Sequence, residues 1–93
     1  MRPAVVLKQL PAGPDLLVCA ISGKLHREIP GVDIVVHEQH PDFGAMGLPF
    51  PSLIRCAYLT TVPLRAVQDP IGAVRAETLK SILHQLTTYL NAR

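Results

Sequence analysis

The apolar positions of this chain fall in short blocks cut apart by Pro and Gly, and only the last block carries a helical period. Pro3 to Gln9 centres on Val5, Val6 and Leu7 and reads as a strand, ended by turn chemistry at Pro11-Ala12-Gly13-Pro14-Asp15. Leu16 to Ser22 predicts a second strand, whose pleat sets Leu17, Cys19 and Ile21 against Leu16, Val18, Ala20 and Ser22. Both faces are largely apolar, which predicts a central strand with Ser22 at its end, where a hydroxyl stays wet. Val32 to His37 reads as a short third strand. Ser52 to Thr61 reads as a fourth, with Ile54, Cys56 and Tyr58 alternating against Leu53, Arg55, Ala57 and Leu59. Pro63 to Gly72 predicts one or two further short strands, broken at Asp69-Pro70. From Ala76 to Asn91 the period changes: Leu79, Ile82, Leu83, Leu86 and Leu90 recur at helical spacing. Glu77 in the first turn and Arg93 beyond the end suit the helix dipole. The predicted class is mostly β, a small, strongly curved antiparallel sheet or partly closed barrel with a C-terminal α-helix.

Two segments resist this reading of regular elements. Gly23 to Gly31 is polar, basic at Lys24 and Arg27, and bounded by glycines, so it predicts a surface loop of the kind that carries binding residues. Glu38 to Pro51 holds Pro41, Gly44, Gly47, Pro49 and Pro51 and has room for little regular structure.

Length and composition narrow the class. Ninety-three residues predict one domain over 1–93, and 48% apolar against 17% charged residues argue against disorder. Two Cys cannot build a disulfide framework, and with no secretory signal before them they predict buried thiols in the reducing cytoplasm. No apolar run approaches the roughly 20 residues that cross a bilayer. A formal charge of +2 neither demands nor forbids a nucleic-acid partner, since a few local phosphate contacts suffice.

Few constellations carry chemistry. His37 and His40 are the only close His pair, but Pro41 and Gly44 argue against the helix that would align them, so they read as solvated loop residues. The glycines are too scattered for a phosphate loop. A triad drawn from Ser22, Ser52, His26 and Asp33 has nothing to fix its geometry. Cys19 and Cys56 sit in apolar strands, where thiols are inert. Four aromatic residues, Phe43, Phe50, Tyr58 and Tyr89, supply base-stacking platforms poorly. What remains is a cationic and hydroxyl set of Arg2, Ser22, Lys24, Arg27 and Arg55. Taken alone, it reads as ordinary surface chemistry, except that Arg55 between apolar strand residues is a local inconsistency of the kind that marks function.

Arg2-Pro3-Ala4-Val5-Val6-Leu7 resembles the opening strand of the MazF/PemK family of bacterial toxins, and Cys19-Ala20-Ile21-Ser22 resembles its next motif. Asp42-Phe43-Gly44, Gly47-Leu48 and Pro51-Ser52-Leu53-Ile54-Arg55 are similar to its loop and following strand, Leu59-Thr60-Thr61-Val62 continues the match, and Ile71-Gly72 through Leu83 resembles its closing strand and helix. The likeness is greatest to the PemK-like branch. It implies an SH3-like barrel with a terminal helix, a homodimer, and a toxin of a type II toxin–antitoxin system that cleaves single-stranded RNA with no metal or cofactor. It also implies an antitoxin partner whose acidic, disordered tail wraps the toxin. By position, Arg2 and Ser22 match catalytic residues of the family and Arg55 matches an additional strand arginine present in part of it, so the resemblance implies Arg2, Ser22 and Arg55 as the catalytic set. The basic loop then supplies Lys24, His26 and Arg27 as RNA-binding residues, with His26 a conceivable proton shuttle that no family motif supports.

The chain also departs from the family pattern. Family members carry a strand opening with Gly-Asp before the Arg-Pro motif, whereas Met1 immediately precedes Arg2, so the barrel is expected to lack that strand. Ala57 stands where an acidic residue is common, two positions after the matched arginine. Both departures motivate a rival expectation of an inactive toxin homologue that binds an antitoxin or RNA. A third expectation places the same barrel against a topoisomerase.

Overall fold

In the computed structural model of the protein, the described residues are 3–67 and 74–92. Four strands, β1 (Ala4–Gln9), β2 (Asp15–Ser22), β3 (Ile34–Val36) and β4 (Ser52–Pro63), form one antiparallel sheet in the order β1-β2-β4-β3. They curl into a half-barrel closed on one side by the helix α1 (Ala76–Asn91). The expected mostly-β class with a C-terminal helix is observed, and β2 is central, flanked by β1 and β4.

The curl comes from register jumps. Cys19 of β2 lies opposite Leu59 of β4, while the next residue, Ala20, lies opposite Arg55. Cys56, Ala57 and Tyr58 therefore bulge out of the ladder, and a bulge both bends a strand and increases its twist. A second jump falls between Val6 and Lys8 of β1. β4 runs further than the alternation predicts, to Pro63, because residues Leu59 to Pro63 resume pairing with β2 beyond the bulge. Part of the expected Pro63–Gly72 strand material is thus the end of β4 and a 3-10 turn over Leu64–Ala66. The rest of it, at 68–73, lies outside the described residues, as do Arg2 and Arg93.

The core is built from Val5, Cys19, Val36, Ile54 and Cys56 of the sheet, Met46 and Leu48 of the long loop, and Ile82 of α1. Here the helix corrects the sequence reading. The face it buries is the Thr78–Ile82 seam, while Leu83 and Leu90 of the predicted stripe are exposed. The rotation follows from how the helix is tethered at its start. The backbone N–H of Arg75, the residue before α1, donates to Oδ2 of Asp42 at 3.2 Å, and Arg75 Nε contacts Oδ1 at 2.6 Å. An acidic oxygen at a helix N-terminus satisfies an orphan donor and suits the dipole, so Asp42 fixes both the position and the rotation of the helix.

Candidate functional site

β2 ends where the basic loop begins, and that junction forms a cleft of about 450 Å³. Pro3, Ser22, Lys24, Arg27, Phe50 and Ser52 are among its lining residues, and among the described residues no carboxylate lines it. The cleft gathers parts from four stretches of chain because the sheet places their ends side by side. Ser22 is the last residue of β2, opposite Leu53 near the start of β4, and Ser52 opens β4 opposite Val36. The Ile21 N–H donates to the Pro3 carbonyl at 3.2 Å, tying the chain before β1 to the same end of the sheet.

The Ser22 hydroxyl is held. Its Oγ accepts a hydrogen bond from the Lys24 N–H at 3.2 Å, a short local turn in which the oxygen is engaged and its own proton is left to donate. Lys24 and Arg27 then supply two cations, the second from a 3-10 turn over Leu25–Arg27. Hydroxyl donor and paired cations make a cleft suited to a phosphate group.

The sequence-predicted residues divide on this geometry. Ser22, Lys24 and Arg27 are brought together in the cleft. His26 is exposed in the same 3-10 turn but is not among the lining residues. Arg2 lies outside the described residues, one peptide bond from the lining residue Pro3. Arg55 is not brought to the cleft. It is only 7% exposed, with Nε 3.0 Å from Oδ2 of Asp33 and its guanidinium carbon 4.1 Å from the centroid of the Tyr58 ring. The inconsistency seen in the strand is therefore resolved locally by a buried ion pair and a ring face, supported by the bulge that turns Tyr58 back over its neighbour.

Asp33 was legible only as a member of an arbitrary triad, yet it organises the loop beside the cleft. Its Oδ2 accepts from the Ile29 N–H at 2.9 Å, while its own N–H donates to the Ile29 carbonyl at 2.9 Å. Its other oxygen, Oδ1, is buried with no hydrogen-bond partner among the described residues. Asp42 was legible only as part of the Asp42-Phe43-Gly44 loop motif, and its role at the helix was not. Burial raises its pKa, but hydrogen bonds from Thr78 and Arg75 and the Arg75 charge outweigh that, and the net shift is downward. An Asp beside a Pro in a turn-rich loop gives no sign of a helix tethered more than thirty positions later. The Cys thiols do behave as the sequence predicts: burial pushes Cys19 up to about 11 and Cys56 up to about 12.

Among the described residues no three His, Cys, Asp or Glu side chains converge as a ligand set, and no helix is long and apolar enough to cross a membrane.

The site thus lies in a basic, hydroxyl-bearing cleft at the strand ends of a half-barrel with a packed terminal helix, and comparison with known proteins places this architecture. The sequence profile of the family described as "PemK-like, MazF-like toxin of type II toxin-antitoxin system" matches residues 1–90, and the chain belongs to that family. Among solved structures, the Mycobacterium tuberculosis toxin MazF-mt6 superposes with a TM-score of 0.75 at 18% identity, covering 99% of this chain and 88% of that one. A second structure, described as an Mtb toxin, gives a TM-score of 0.72 at 20% identity, covering 94% and 90%. At these identities the likeness establishes the shared fold. No curated protein matches the chain in sequence.

Proposed function

We propose that the protein is the toxin of its type II toxin–antitoxin pair, a single-domain endoribonuclease that cleaves single-stranded RNA without a metal. The observation that carries this reading is the convergence of Ser22, Lys24 and Arg27 on one cleft that no carboxylate of the described residues lines, next to the residue that precedes β1. In this scheme the 2′-hydroxyl of the nucleotide before the cut attacks phosphorus, losing its proton to solvent. The bond to the 5′-oxygen breaks, and that oxygen takes up a proton, leaving a 2′,3′-cyclic phosphate and a 5′-hydroxyl.

The dianionic phosphorane that forms between these states needs donors and cations fixed in advance. The Ser22 proton donates to a non-bridging oxygen. Arg2, tied by its peptide bond to the cleft-lining Pro3, offers a planar fork for two phosphate oxygens. Lys24 and Arg27 hold the flanking phosphates, with His26 at the margin. Arg55 acts as a positioning residue, joining β4 to the loop that Asp33 closes. The protein works in the cytoplasm as a homodimer, in which exposed apolar residues of α1 such as Leu83 and Leu90 gain cover, and an antitoxin with an acidic tail neutralises the cations of the cleft.

Incubating the purified protein with RNA in a chelator and mapping the product ends tests the reading. The expected result is cleavage with cyclic phosphate ends, abolished by Ser22→Ala and by Arg2→Ala. Cleavage that survives both changes overturns the assigned site. Tight RNA or antitoxin binding with no cleavage favours the rival, an inactive homologue, for which Ala57 in place of the common acidic residue is the motivating feature.

A further inference from the structure

The cleft has a hydrophobic lip that the phosphate chemistry does not use. Phe50 is 54% exposed, and single exposed apolar side chains are ordinary on protein surfaces. Phe50 differs in how firmly it is held and in what stands beside it. It lies between Pro49 and Pro51, and a following proline confines a residue to extended backbone. Its carbonyl accepts a hydrogen bond from Ser52 Oγ at 3.0 Å, pinning the peptide to the start of β4. On the other side the long loop is anchored in the core by the buried Leu48.

The ring itself lies against Gly23. A Cβ on Gly23 would overlap ring atom Cε1 and stand 3.2 Å from Cδ1 and Cζ, so the absence of a side chain there is what lets the ring approach the backbone beside Ser22. An aromatic held on backbone, hydrogen bond and prolines while keeping half its surface in water is a preorganised flat surface. It borders the same cleft as the Ser22 hydroxyl and the Lys24 and Arg27 cations. Interleaved cations and an aromatic face are the two components of single-strand binding, one for the backbone and one for a base.

We propose that Phe50 is the base-stacking platform of the cleft, holding the face of an RNA base next to the phosphate bound at Ser22. This rests on the reading of the protein as an RNA-cleaving toxin. The platform selects nucleotides by how well they stack, so it contributes to which sequences are cut.

The test begins by mapping the cut site of the wild-type protein. Oligonucleotides spanning that site, with methylated 2′-hydroxyls to prevent cleavage, then carry 2-aminopurine at one position at a time, and stacking quenches its fluorescence. In the wild type, quenching is expected to peak at one nucleotide adjoining the cut. Phe50→Ala is expected to abolish that peak and weaken binding about 5- to 150-fold, the range for loss of one aromatic–base stack, and Phe50→Tyr to retain both. A wild type that cuts and binds with no position-specific quenching, or a Phe50→Ala variant that quenches and binds like the wild type, overturns the platform alone. A wild type that neither cuts nor binds RNA overturns the proposed function, and the platform with it.

Discussion

Arg55 on β4 and Asp33 in the loop before β3 meet as a buried ion pair, with Nε and Oδ2 3.0 Å apart. Asp33 also closes its loop through Ile29, so the pair links the central sheet to the segment that bears Lys24 and Arg27. Removing one member leaves the other charge buried and uncompensated. Arg55→Leu is expected to cost about 3–5 kcal/mol of folding stability, read from urea unfolding. Asp33→Asn in that background is expected to recover part of the loss, because the amide oxygen still accepts from Ile29 without a charge to bury. Equal losses for Arg55→Leu alone and for the double variant would show that the two residues do not act as a pair.

The Asp42 carboxylate tethers α1, and its lowered pKa gives the sign of an acid effect. A carboxyl depressed in the folded state contributes stability that is present above its unfolded value near 3.9 and lost as pH falls through the folded value. Asp42→Ala is therefore expected to destabilise the protein at neutral pH by about 1–3 kcal/mol, since it leaves the Arg75 N–H and side chain without their acceptor. The gap between variant and wild type should narrow as pH drops below about 4. Thermal unfolding from pH 7 to pH 2 measures this, and a gap independent of pH would remove the carboxylate from the account.

Both thiols are held protonated by burial, Cys19 up to about 11 and Cys56 up to about 12. A thiol-alkylating reagent at pH 8 is expected to leave the folded protein unmodified and to label both residues in denaturant. The linked stability runs the opposite way from that of Asp42. It is complete below the ordinary thiol value of 9.0 and is lost as pH rises through the raised folded values. Labelling of the native protein as fast as of the unfolded chain would contradict the burial.

Gly23→Ala tests the Phe50 contact without changing the ring chemically. Gly23→Ala must displace the ring, and because about half of Phe50 is already exposed the fold is expected to tolerate the change within about 1 kcal/mol. RNA affinity is expected to fall in the same direction as in Phe50→Ala. A variant with unchanged affinity would show that the position of the ring is immaterial.

Much of the frame was legible in the sequence. Alternation and period change place β1, β2 and α1 within a residue or two of their observed limits, and two apolar faces mark β2 as central. Ser22 at the end of an apolar run and the basic stretch after it were likewise visible as candidate site residues, since strand ends and adjoining loops are where polar groups stay wet. The helical stripe misled in one respect. Periodicity says that a face is apolar, but the tether at Asp42 decides which part of it meets the sheet.

Strand and helix periods arise from backbone geometry repeated over a few residues, and so the order of elements and the location of Ser22 are properties of the sequence by itself. Partnerships across the fold are different in kind. That Arg55 turns to Asp33 instead of the cleft, that Asp42 holds α1, and that the Phe50 ring rests on Gly23 depend on where loops of irregular conformation return the chain. No period encodes those returns. They are decided by the packing of the whole molecule, because buried charges and flat rings find their partners only once the sheet has curled and the core has closed.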